Sequence, residues 1–150
     1  MRMSDVLVYF ALEYEGSFPE IYHALQRKEE VDPDQYFELK KDVHHKHFTL
    51  IDNVYPNQFK EISCPPVVLF YQGNKELLSK DLPMKELYLD DHTRAYSSIE
   101  PIMQDGKIIF DYVIAAENHD NVDKLYDHIK DKGLPLKDYT KQKIMEEKVC

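Results

Sequence analysis

Five consecutive residues, Val67-Val68-Leu69-Phe70-Tyr71, constrain this chain more than any other stretch. They are β-branched, aliphatic and aromatic with no polar interruption. A strand of this kind has no face to give to water, so it needs cover on both sides. Cys64-Pro65-Pro66 breaks the chain before the run and Gly73-Asn74 turns it afterwards, which fixes the strand's length. In a parallel or mixed sheet the cover is usually helical, and an α/β domain is therefore predicted.

The residues ahead of the run supply helices. Residues 4–15 fit a short helix capped by Ser4 or Asp5 and closed by Gly16, although the apolar density would also suit a strand. Ser17 and Glu20 have capping-box spacing with Pro19 in the first turn, and Ile21, Tyr22 and Leu25 can share a face. Asp32-Pro33-Asp34 starts a third helix through Tyr36, Leu39, Lys40 and Val43. His44, His45 and His47 are expected at its end, with Asp42 nearby. Adjacent residues on a helix point apart, so these imidazoles would form a metal site only if the helix stopped among them. The plain expectation is an exposed polar helix end with no metal. Phe48 to Ile51 is read as the next extended piece.

Beyond Gly73-Asn74, Lys75 to Leu78 has room for one helical turn. Leu87-Tyr88-Leu89 reads as a strand, and Asp90 to Ser98 as a loop. Asp105-Gly106 is a turn between apolar pieces, and Tyr112 to Ala116 is another buried strand. From Asn118 to Gly133, Val122, Leu125, Tyr126 and Ile129 fall on one helical face. Thr140 to Val149 reads as a charged helical tail. The predicted division is a helical region over 1–48, a sheet domain over 49–139 and a tail over 140–150.

Composition narrows the function. The chain of 150 residues has no tryptophan but eleven tyrosines and seven phenylalanines, so its core must be largely aromatic. No run approaches the ~18 apolar residues of a membrane helix. The first residues lack a signal peptide's apolar core, and a cytoplasmic setting is expected. The net charge is −9 and no third of the chain has a basic excess, which disfavours strong binding to phosphate backbones without a local patch. Cys64 and Cys150 are too far apart for a CxxC pair and read as incidental thiols. Asp90, Asp91 and His92 are the only dense catalytic-type group. No nucleophile elbow, Walker motif, HExxH or dinucleotide fingerprint accompanies them, so neither an enzyme nor a cofactor is expected.

One ordered series of features resembles a known family. Tyr55-Pro56, Phe59-Lys60-Glu61-Ile62, Pro65-Pro66, Leu69-Phe70-Tyr71, Gly73-Asn74 and Leu77-Leu78 follow one another as in the segment leading into the nucleotide-fold domain of the DNA-processing protein A (DprA/Smf) family. A weaker likeness covers Asn121, Leu125-Tyr126, Ile129 and Lys132-Gly133-Leu134. The resemblance implies a truncated Rossmann-like sheet with flanking helices behind the helical region. It also implies single-stranded DNA binding, self-association to a homodimer and contact with a RecA-like recombinase in DNA uptake and recombination. Thr93, Arg94 and Ser97 stand at the family's phosphate-loop serine, arginine and later hydroxyl, whereas His92 and Glu100 replace its two glycines. The family's central Ser-Gly-x-x-x-Gly-Ile-Asp section is missing. Lys60, Lys75, Lys80 and Lys85 would add backbone contacts. Two readings of Arg94 stay open: a surviving phosphate contact, or a guanidinium paired with a neighbouring carboxylate in an acidic loop. Two functions follow, weak sequence-independent single-stranded DNA binding, or a protein-interaction or dimerisation module that has lost that site.

Overall fold

The computed structural model describes residues 2–61, 64–78, 85–88 and 94–132. Three helices come first: α1 (Met3–Glu13), α2 (Phe18–Gln26) and α3 (Pro33–Lys40). Strand β1 (Lys46–Thr49), the short α4 (Asn57–Lys60) and strand β2 (Val68–Gly73) follow. A 3-10 turn at Lys75–Leu78 precedes β3 (Lys85–Tyr88), β4 (Arg94–Gln104), β5 (Lys107–Ala116) and α5 (His119–Lys132).

The five strands form one sheet in the order β1-β2-β5-β4-β3. Helices lie on both of its faces, and the α/β class holds. The Rossmann-type arrangement is a separate matter. Each of the four described ladders is antiparallel, whereas a Rossmann sheet is built from parallel strands joined by helical crossovers. The physical reason lies in the connections: β4 and β5 are joined by two residues, a span that allows only antiparallel neighbours.

The run that opened the argument sits where its composition requires. Val68 and Phe70 face a core shared with α1, α2, α5, Ala95, Ile114 and Ala116. Leu69 faces the other way, into Phe48, Tyr55, Phe59, Leu77, Leu78, Tyr96, Val113 and Ala115. Phe59 meets Tyr96 edge to face with ring centroids 4.8 Å apart, an aromatic anchor for this second layer. Truncating Leu69, which has no exposed surface, to alanine is expected to cost about 2–5 kcal/mol. The Pro65-Pro66 break is tied down from both layers. The Tyr22 hydroxyl of α2 donates to the Pro65 carbonyl at 2.5 Å, and the Tyr55 hydroxyl donates to the Pro66 carbonyl at 2.7 Å.

Leu7 through Leu12 are all buried, so α1 is apolar around most of its circumference, and this explains why its sequence also suited a strand. Its N-cap is Arg2 rather than Ser4 or Asp5. Asp5 instead reaches back, accepting from the Arg2 N–H at 3.1 Å and from the Tyr36 hydroxyl at 3.0 Å. Gly16 follows α1 at φ +78, and a Cβ there would stand 2.7 Å from the Asn118 nitrogen. Ser17 is the N-cap of α2, but its side chain makes no capping bond. Asp32 caps α3 as expected, accepting from the Asp34 N–H at 3.0 Å.

Candidate functional site

The loop expected over Asp90 to Ser98 is, in its described part, a strand. Arg94 opens β4, and from there to Ser98 the residues pair with β3 and β5. Arg94 has no exposed surface and Glu117 is 2% exposed. The guanidinium donates through Nε to Glu117 Oε1 at 2.8 Å, and its Nη2 contacts the same oxygen and donates to the Cys64 carbonyl at 2.9 Å. Its carbon lies 4.0 Å from the Phe18 ring centroid, so the cation is also stacked on an aromatic face. Of the two readings of Arg94, the paired one describes this geometry, with one amendment. The carboxylate is that of Glu117, which comes just after β5, where its N–H donates to the Arg94 carbonyl at 3.1 Å.

The other residues expected to meet DNA fall on several elements. Ser97 is buried in β4. Lys60 and Lys75 are exposed, on α4 and the 3-10 turn, two elements joined where the Gln58 side-chain amide donates to the Leu78 carbonyl. Lys85 lies on β3, opposite Ser97 in the ladder. Thr93 and Lys80 lie outside the described residues, as do Asp90, Asp91, His92 and the tail over 140–150. Cys64 stands in a disulfide and is not the incidental thiol expected of it; the chain's other cysteine, Cys150, is outside the described residues.

The strongest surface feature was not singled out in the sequence. Among the described residues, the β4–β5 ladder runs from Ala95↔Ala116 to Gln104↔Lys107, while β3 pairs with β4 as far as Ser97 and β2 pairs with β5 down to Val113. Beyond the Asn74 contacts to Tyr112 and Asp111, the two strands continue to the turn as an arm, 101–110, with no third described strand beside it. Its tip is a tight turn in which Asp105 and Gly106 have φ of 52° and 76°, the two positive values of a type I′ hairpin. Met103 faces Ile108 across the ladder and Ile102 faces Ile109. Met103 is 69% exposed and Ile108 64%, and the other pair is more than a third exposed. Apolar side chains are thus presented on both faces of the arm. The signal was the pair of apolar pieces around Asp105-Gly106; what was missing was any sign that they overhang the core.

His44 and His45 do not close a helix. α3 stops at Lys40, and both imidazoles turn toward Asp123 of α5. His47 lies apart, on β1, with its ring 5.7 Å from that of Phe70. No helix among the described residues is long and apolar enough to cross a membrane. No family model matches the sequence, and no curated protein or solved structure matches it.

Proposed function

We propose that this chain is a non-enzymatic protein-interaction module, a shortened relative of the DNA-processing protein A family that works through its β4–β5 arm. One observation carries the reading: among the described residues, Ile102, Met103, Ile108 and Ile109 are exposed on a two-stranded ribbon that continues beyond its pairing with β2 and β3. An isolated hairpin is marginal in water, and apolar patches that remain exposed mark contact surfaces. Burying these four side chains from their present exposure would contribute roughly 4–6 kcal/mol, a useful fraction of the cost of association. In a two-fold contact between copies each side chain counts twice. A cytoplasmic setting, with a second copy or a RecA-like recombinase as partner, belongs to the same proposal.

The test is sedimentation velocity and recombinase binding for the wild type and for a Met103→Glu, Ile108→Lys double variant. Association that the double variant loses while remaining folded is the expected result. A wild type that is monomeric, binds no recombinase and is unaffected by the arm substitutions would sink the reading. A second reading, weak single-stranded DNA binding, is favoured by the exposed Lys60 and Lys75 on joined elements. Salt-sensitive oligonucleotide binding that weakens in Lys60→Glu and Lys75→Glu would move the function there.

A further inference from the structure

We infer that His44, His45 and Asp123 form a binding site for a divalent transition metal of the zinc class. The end of α3 frees the two histidines to converge. On a continuous helix, adjacent histidines diverge by about a quarter-turn and cannot share an ion. Lys41 is the C-cap, so His44 and His45 fall in non-helical chain ahead of β1, where that restriction is lifted. Their rings lie 4.3 Å apart, centroid to centroid.

The third ligand comes from far along the sequence. Asp123 sits in α5, held by the packing of Val122 and Leu125 against the sheet. His44 Nε2 is 3.1 Å from Asp123 Oδ2, and His45 Nε2 is 3.0 Å from Oδ1. One ligand atom from each residue can be chosen so that all three lie within 4.8 Å of one another, and among the described residues no other group of His, Cys, Asp or Glu does so. A tetrahedral ion with bonds near 2.0–2.1 Å separates its ligands by about 3.3 Å. The two short spacings are to different carboxylate oxygens, so whichever oxygen binds is within a few tenths of an ångström of this separation from one histidine nitrogen, and side-chain rotation has to bring the other nitrogen in from no more than 4.8 Å.

The donor set selects the ion class. Two imidazole nitrogens and one carboxylate suit Zn²⁺ and its neighbours in preference to Mg²⁺ or Ca²⁺, which favour all-oxygen shells. Each histidine would ligate through Nε2 with its remaining ring proton on Nδ1. Burial gives the site one fixed and two accessible ligands: the His45 side chain is 8% exposed, that of His44 63% and that of Asp123 48%. Three protein ligands leave a position for water or for an anion. That position adjoins a groove of about 460 Å³, lined by both histidines and by Lys46, Gln72, Asn74 and Lys75. The bound ion would join the chain ahead of β1 to α5 by a bridge independent of the core.

The test uses the full chain, stripped with chelator and kept oxidised so that thiols do not compete. Zn²⁺ is titrated by calorimetry, and Co²⁺ is followed by its visible spectrum, which reports coordination number. One ion per chain is expected, with affinity reduced at least tenfold in Asp123→Asn and in His44→Ala and unchanged in His23→Ala, whose residue is exposed on α2. Imidazole ¹⁵N shifts of His44 and His45 should move to metal-bound values, a readout that does not depend on any variant folding. No stoichiometric binding, binding that survives Asp123→Asn, or a Co²⁺ spectrum of an octahedral aquo type would overturn the assignment. None of these results bears on the arm, so this site and the interaction reading fail separately.

Discussion

Replacing Glu117 by leucine separates a structural Arg94 from a functional one. The substitution leaves a guanidinium with no exposed surface facing an apolar side chain where its carboxylate stood. Breaking a buried pair from one side costs about 3–5 kcal/mol. Arg94 keeps the Cys64 carbonyl at 2.9 Å and the Phe18 ring at 4.0 Å, which places the expected loss at the lower end, about 3 kcal/mol. In a domain stabilised by about 5–15 kcal/mol, that is a large fraction, and it corresponds to a fall in Tm of roughly 10 °C. The double variant Arg94→Met, Glu117→Leu removes both charges and should recover most of the loss, to within about 1–2 kcal/mol of wild type. Urea denaturation of the four proteins in the cycle measures this directly. A Glu117→Leu cost under about 0.5 kcal/mol is the scale of an exposed pair and would refute the burial argument. If the same variant gained single-stranded DNA affinity, the phosphate-contact reading of Arg94 would return.

Three other outcomes are expected. Burial pushes the Tyr22 and Tyr36 phenols up to about 12, and Tyr55 higher still. Their stabilising contribution is complete below the usual value of 10 and is lost as pH rises from 10 toward 12, so the urea midpoint should fall across that window; tyrosine ¹³C titrations near 10 for all three would contradict this. The hydrogen bonds from the Arg2 N–H and the Tyr36 hydroxyl hold the Asp5 carboxyl below its usual 3.8. Asp5→Asn should therefore cost about 1 kcal/mol at pH 7, a difference that fades as pH falls below 3.8 and that paired denaturation curves would reveal. Gly16→Ala adds a Cβ 2.7 Å from the Asn118 nitrogen at φ +78, whereas Gly106→Ala has the same backbone constraint but open space around it. The first should destabilise by more than about 2 kcal/mol and the second by about 1, and equal losses in thermal melts would mean that α1 does not approach the end of β5 as described.

What could be read in advance was whatever the chain specifies locally. Val67 to Tyr71 announced a strand covered on both sides, Asp32-Pro33 a helix start, Asp105-Gly106 a turn, and Val122 with Leu125 a buried helical face. Pairing direction was not legible, because an apolar strand looks the same in a parallel and an antiparallel sheet, and the likeness to a nucleotide fold pointed the wrong way. Arg94 was misplaced for a related reason. A charged residue at a buried strand position makes sense only with its partner, and Glu117 lies beyond the next strand. The contact of His44 and His45 with Asp123 was not legible because only the packing of α5 brings that carboxylate to them. The arm escaped notice because exposure depends on where the neighbouring strands stop, and apolar alternation carries no information about that.

The position of β5 has a consequence for how the chain assembles. It is the last of the five described strands to be synthesised, yet it occupies the centre of the sheet, between β2 and β4. Until it arrives, β2 has β1 on one edge and bare backbone donors and acceptors on the other, beside the most apolar side chains in the protein. Translation from Phe70 to its ladder partner Ala116 takes roughly 2–9 s, against about 1–10 μs for a hairpin to form. The β4–β5 hairpin, closed by the Asp105-Gly106 turn, can therefore form almost as soon as it is synthesised. The seconds of translation between Phe70 and Ala116 are thus a floor on the time for which the β2 edge stands open, whatever the folding rate.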